Sequence, residues 1–128
     1  MGESIVIQGA PKSPRYENGI WYWFANNTFI INWKLNLKRN GEPFTADAED
    51  IVTFKFYNED RRNIYTASFE NISNNVCPLV FSEEVSKKFP AGNYTFCIEY
   101  NDVKVGDKTV NNITTIGADY KIVVEECH

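Results

Sequence analysis

Pro90-Ala91-Gly92-Asn93-Tyr94-Thr95-Phe96-Cys97-Ile98-Glu99-Tyr100 decides how this chain is read. A Pro-x-Gly turn signal runs straight into an alternating segment, the pattern of a β-strand entered through a turn. Successive side chains of a strand point to opposite faces, so Tyr94, Phe96, Ile98 and Tyr100 share one face and Thr95, Cys97 and Glu99 the other. The aromatic face is expected to lie in the core, opposite Phe29, Ile31, Trp33 and Leu35.

Those four residues belong to the strongest strand signal in the chain, Thr28 to Lys38. There Phe29, Ile31, Trp33, Leu35 and Leu37 alternate with Ile30, Asn32, Lys34 and Asn36, as in a sheet covered on one side. Further strands are expected at 5–8, at Ile20 to Phe24, at Ile51 to Tyr57 returning through Ile64 to Asn71, and at Val76 to Phe81. Pro78 lacks a ladder donor and places that last strand at an edge. Asn40-Gly41 is a tight-turn signal, while Gly9 to Asn18, with two prolines, reads as a loop or an extended edge. A ribbon is expected over 102–110, turning at Gly106-Asp107, with Asn111 to Gly117 linking it to a last strand, Tyr120 to Val124. Ser82 to Phe89 reads as one short helix near 82–88, capped by Ser82, with Glu83 and Glu84 at its positive end and Pro90 beyond it. Strands every 8–14 residues point to a sandwich rather than to βαβ units. With no repeat or linker, 1–128 is read as a single domain.

Composition agrees. Aromatic residues make up 15% of the chain, and such side chains pack well on pleated surfaces. Asparagine occurs 15 times, which suits a fold with many turns but equally suits a biased genome. The net charge of −4 argues against nucleic acid, whose phosphates call for clustered Lys and Arg. No apolar run is long enough to span a membrane, and Met1-Gly2-Glu3-Ser4 does not open a signal peptide. The chain is therefore expected to be made in the cytoplasm, and its Asn-x-Ser/Thr sites to carry no glycan.

Several chemistries are excluded by residue type. The single histidine is His128, the last residue, so a Ser-His-Asp or Cys-His site has no rigid base. Cys77, Cys97 and Cys127 show no zinc spacing, and no glycine-rich phosphate loop is present. Glu83 and Glu84 diverge by about 100° on a helix and cannot flank one bond. Asp47, Glu49 and Asp50 offer oxygens to calcium without EF-hand spacing, and read either as a cation loop or as a solvated one. Cys77 and Cys97 either bridge the two layers or stay reduced as small apolar residues. No enzyme, no metal and no cofactor is expected.

The aromatic run Trp21-Tyr22-Trp23-Phe24 is the one candidate site. Trp21 and Trp23 share one face, Tyr22 and Phe24 the other. A strand apolar on both sides either packs in a core or meets a partner, and exposed Trp and Tyr suit a protein interface or a sugar platform. Trp21, Tyr22 and Trp23 are the candidate interface residues.

Two blocks carry a resemblance. Leu35-Asn36-Leu37-Lys38-Arg39-Asn40-Gly41-Glu42-Pro43-Phe44 followed by Asp50-Ile51-Val52-Thr53-Phe54-Lys55-Phe56 is the first, and Phe89-Pro90-Ala91-Gly92-Asn93-Tyr94-Thr95-Phe96 the second. Together they resemble the N-terminal β-sandwich domains of upper baseplate proteins of tailed phages infecting Gram-positive bacteria. The Gly92-x-Tyr94 strand entry is also similar to the tyrosine corner of immunoglobulin-like sandwiches. The resemblance implies an all-β, immunoglobulin-like antiparallel β-sandwich of about seven to nine strands. It implies a virion protein made in the host cytoplasm, present in many copies and without an active site. Cys97 lies three residues after Tyr94 and on the other face, so the inter-sheet disulfide of immunoglobulin domains is not carried over. Because the chain stops at residue 128, an accessory or decoration protein of baseplate, tail, neck or capsid is the expected role, with other virion proteins or further copies of the chain as partners. The alternative is a carbohydrate-binding module or adhesin that holds a host-surface glycan on exposed aromatics.

Overall fold

Among the described residues, period-two patterning turns into ten strands and one helical turn. The computed structural model describes residues 14–105 and 108–126. The strands are β1 (Arg15–Glu17), β2 (Ile20–Phe24), β3 (Phe29–Lys34), β4 (Lys38–Arg39), β5 (Glu42–Pro43), β6 (Ile51–Tyr57), β7 (Asn63–Glu70), β8 (Val76–Phe81), β9 (Gly92–Val105) and β10 (Lys108–Glu125). The helix α1 is Glu83–Ser86, where Ser82 Oγ accepts the Val85 amide and Phe89 follows into the core. The strand expected at 5–8, the turn residues Gly106 and Asp107, and Cys127 and His128 lie outside the described residues.

Six strands form one sheet in the order β1-β2-β10-β9-β6-β7. The β3–β8 ribbon lies across its inner face. Trp33 of β3 packs edge-on to Phe54, Phe96 and Tyr120 of the large sheet, and Phe81 of β8 packs against Trp23 and Phe56. The core between the layers is the expected one: Tyr94, Phe96, Ile98 and Tyr100 are buried, together with Val52, Phe54, Phe56, Leu79, Ile122 and Val124. The Tyr94 hydroxyl donates to the Pro90 carbonyl four residues upstream, tying the strand entry to the turn before it. Pro78 sits opposite Asn32 on β8, whose other side has no strand among the described residues.

Several expectations need correction. The sheet is mixed rather than antiparallel, because β2 runs parallel to β10, from Lys121↔Ile20 to Glu125↔Phe24. A tight hairpin imposes antiparallel pairing, whereas β2 and β10 come from opposite ends of the chain and no hairpin joins them. The strand expected over Thr28 to Lys38 ends at Lys34. Its partner β8 begins at Val76, and Asn74 and Asn75, with φ of 53° and 58°, turn that chain away. The Leu35 amide is instead taken by the Asn75 carbonyl at 2.8 Å. The ribbon over 102–110 and the link after it are not separate pieces. They are the far ends of β9 and β10, which pair from Val105↔Lys108 to Gly92↔Val124. Register shifts between Thr109 and Asn112, between Thr115 and Gly117 and between Gly117 and Tyr120 break the alternation that would have marked this strand in the sequence. Among the described residues the short β1, β4 and β5 are strands that the alternation had not marked.

Candidate functional site

The aromatic run divides along its alternation. Trp23 is 2% exposed, wedged between Phe29, Phe81 and Phe89 in the core. It presents no surface to a protein or a sugar. Trp21, two residues earlier on the same face, lies where the β3–β8 ribbon runs out, between Tyr16 at 5.2 Å and Trp33 at 5.9 Å. Its indole Nε1 is buried without a hydrogen-bond partner. Tyr22 points to the outer face, half-buried beneath the Arg15 guanidinium, which stands 4.6 Å from the ring centroid. Arg15 also bridges Glu125 at 3.2 Å and Glu17 at 3.4 Å. Its hydrogen bond to Glu125 raises its pKa further, against a smaller opposing effect of desolvation. The three residues do not converge on one surface. Trp21 and Tyr22 face opposite sides of the sheet.

The outer face of the large sheet carries a groove of about 680 Å³ between the Asn58–Arg61 turn and the irregular part of β10 around Ala118 and Asp119. Tyr57, Thr95, Cys97 and Val123 line it, with Glu59, Arg61, Asp119 and Lys121 of both signs around them. Cys97 is half-buried here, and burial first, then the nearby Glu99 carboxylate, raise its pKa. The thiol stays protonated at neutral pH and is a poor nucleophile. Beside it Lys55 and Glu99 pair across strands at 3.1 Å, an ion pair that raises the lysine pKa. Cys77 faces the opposite way, fully buried between the layers. Both thiols are free, and the large sheet separates them, so the layers are not bridged through these cysteines.

The acidic loop is structural. Asp50 is 3% exposed, and its carboxylate accepts from the Tyr100 hydroxyl, from the Asp47 amide at 3.1 Å and from the Val103 amide at 3.3 Å. Burial and this carboxylate hold the Tyr100 phenol far above its usual range. With three donors satisfied, Asp50 has little left for a cation, while Asp47 and Glu49 face solvent. Among the described residues no group of His, Cys, Asp and Glu is placed to hold a metal ion, and no helix is long and apolar enough to cross a membrane. Nothing in the sequence marked Asp50 as the buried member of its acidic cluster, because two of its three partners, Tyr100 and Val103, arrive from β9.

The remaining feature is the arm formed by the far ends of β9 and β10. β2 pairs with β10 only over 121–125, and β6 pairs with β9 only as far as Asn101. Beyond those points the hairpin continues as two strands, and β10 from Lys108 to Tyr120 has no neighbour on its β2 side among the described residues. Ile113 there is 59% exposed and Ile116 38% exposed. An unpaired strand edge beside apolar side chains is a ready surface for another strand. The sequence hid it by dividing β10 into a ribbon strand, a link and a terminal strand. No family model matches the chain, and no curated protein or solved structure is significantly similar to it.

Proposed function

We propose that this chain is a non-enzymatic, immunoglobulin-like sandwich that works by protein–protein binding, as a structural or decoration component of a bacteriophage virion. The observation that carries a binding role is the open β10 edge with Ile113 exposed upon it, because such edges are normally blunted unless something pairs with them. The immunoglobulin-like reading is supported by the β10-β9-β6-β7 order facing β3-β8, the order of a G-F-C-C′ sheet over B and E. It is supported also by the Tyr94 hydroxyl bonded back to the Pro90 carbonyl, in the manner of a tyrosine corner. Two residues after that tyrosine, where an immunoglobulin domain has its second cysteine, Phe96 packs at 5.5 Å on Trp33 and joins the layers by aromatic contact instead. Placement in a virion rests on the resemblance of the Leu35–Phe44 and Phe89–Phe96 blocks to baseplate domains. Baseplate, tail, neck and capsid accessory sites are all compatible with it, and the partners are other virion proteins or further copies of the chain.

Mass spectrometry of purified virions from the host carrying this gene tests the reading. The chain should be recovered with the portal, capsid or tail proteins, encoded by neighbouring genes. Its absence from virions, or a gene neighbourhood of metabolic enzymes, would overturn it. The glycan-binding alternative has lost Trp23 as a platform and would rest on Tyr16, Trp21 and Tyr22, of which only Tyr16 is more than half exposed.

A further inference from the structure

We infer that the open edge of β10 pairs with the same edge of a second copy, forming a two-fold dimer through one antiparallel strand contact. This deepens the binding role proposed above and rests on it. Twelve residues, Lys108 to Asn111, Asn112 to Thr115 and Ile116 to Asp119, lie along the edge with no partner on the β2 side among the described residues. Natural edges carry charges, especially lysine, to repel a second strand. Between Lys108 and Asp119 this one carries none. The two charges at its ends have opposite sign. An antiparallel pairing of an edge with itself brings the beginning of one copy to the end of the other. A dyad beside Ile113, which sets Ile113 opposite Ile113 of the other copy, therefore brings Lys108 of each copy opposite Ala118 and next to Asp119 in the other, an attraction at both ends. Ends of like charge would have repelled.

The irregularities point to the same centre. β10 keeps regular register with β9 from Asn112↔Asp102 to Thr115↔Glu99, and shifts on either side of that stretch. A flat ladder is thus confined to Asn112–Thr115, and the dyad at Ile113 lies within it. Because a dyad normal to the sheet preserves its faces, the two Ile113 side chains lie on one face of the joined sheet and cover each other. The far edge of the six-stranded sheet, β7, is also uncharged from Asn63 to Phe69 but ends on Glu70 alone, so self-pairing there gains no attraction between its ends.

Sedimentation and hydrogen exchange on the full-length chain test this. The wild type should dimerise, with exchange protection of the 112–115 amides that grows with protein concentration. Ile113→Lys with Thr115→Lys, both exposed positions, should raise the dimer dissociation constant about tenfold or more. Thr66→Lys with Ser68→Lys on β7 should leave it unchanged. Lys108→Glu should weaken the dimer roughly three- to tenfold, and Asp119→Asn in that background should recover part of the loss. A chain that stays monomeric at its highest soluble concentration overturns the inference, as does a dimer indifferent to the Ile113 and Thr115 changes. Protection independent of concentration would show that the chain's own residues cover the edge, and also overturns it. A monomer found in virions refutes only the self-pairing, whereas a dimer absent from virions refutes only the virion role.

Discussion

Six of the eight non-glycine residues with positive φ among the described residues are asparagines: Asn18, Asn26, Asn40, Asn71, Asn74 and Asn75. Left-handed backbone costs about 1–2 kcal/mol for most side chains and less for asparagine. Much of the asparagine content is thus used in turns, one of the two readings the composition left open. Asn75 does more than turn. Its Oδ1 accepts the Ala46 amide and its Nδ2 donates to the Phe44 carbonyl, both at 2.9 Å, fastening the loop before Asp50 to the entry of β8. Asn75→Ala leaves both groups unpaired and keeps the strained φ, so it should destabilise by about 2–4 kcal/mol, read as a lower urea midpoint. Cys77 makes a pH prediction. Burial pushes its thiol up to about 11. Above about pH 8.5 the unfolded chain loses this proton while the folded chain keeps it, so stability falls as pH rises. That contribution is whole below the unfolded pKa and lost as pH climbs through the folded one. Tyr100, raised as well, extends the fall to higher pH. In Cys77→Ala the decline in urea midpoint between about pH 8.5 and 10.5 should be shallower than in the wild type.

At the scale of elements, turn chemistry is legible at the Asn-Gly dipeptides. Asn40-Gly41 joins β4 to β5 with φ of 53° and 81°. Asn18-Gly19 joins β1 to β2 with φ of 52° and 80°, and the same dipeptide signal marks it. The structure places a hairpin there where the preceding prolines favour a loop. β10 was illegible for another reason: its irregularities interrupt the period of two. Gly117 shows what one of them requires. A Cβ at this position would stand 2.4 Å from Tyr120 Cε2, on a ring that stacks on Phe96 at 4.9 Å and meets Trp33 edge-on at 5.3 Å. Gly117→Ala must displace that ring. We expect a loss of about 1–3 kcal/mol and a changed near-ultraviolet circular dichroism signal from the Trp33 cluster, with the far-ultraviolet spectrum retained.

For the whole molecule, the two layers are held chiefly by aromatic contact. Trp23 touches rings from β3, β8 and the segment after α1, and its truncation removes a keystone. Trp23→Ala should cost about 3–5 kcal/mol, comparable to the whole stability of a small domain, and the purified variant should be largely unfolded by circular dichroism. Trp21→Ala, at the margin of the ribbon and with its Nε1 unsatisfied, should cost less and leave a folded protein. Any loss of binding in a Trp23 variant would thus report on folding, while the same loss in Trp21→Ala would report on a surface.

From the sequence alone came the all-β class, the inward face of Tyr94 to Tyr100, the capped helical turn and, among the described residues, the edge position of Pro78. Each follows from local chemistry: alternation, capping, a missing amide. Tertiary structure alone decided that β2 lies parallel to β10, that Trp23 is core while Trp21 is marginal, that Asp50 is the buried carboxylate, and that β10 runs on past β2 with no further strand beside it among the described residues. Those depend on which distant strand lies alongside and where it stops. Neighbours in space, unlike periodicity, leave no trace in a single chain read from end to end.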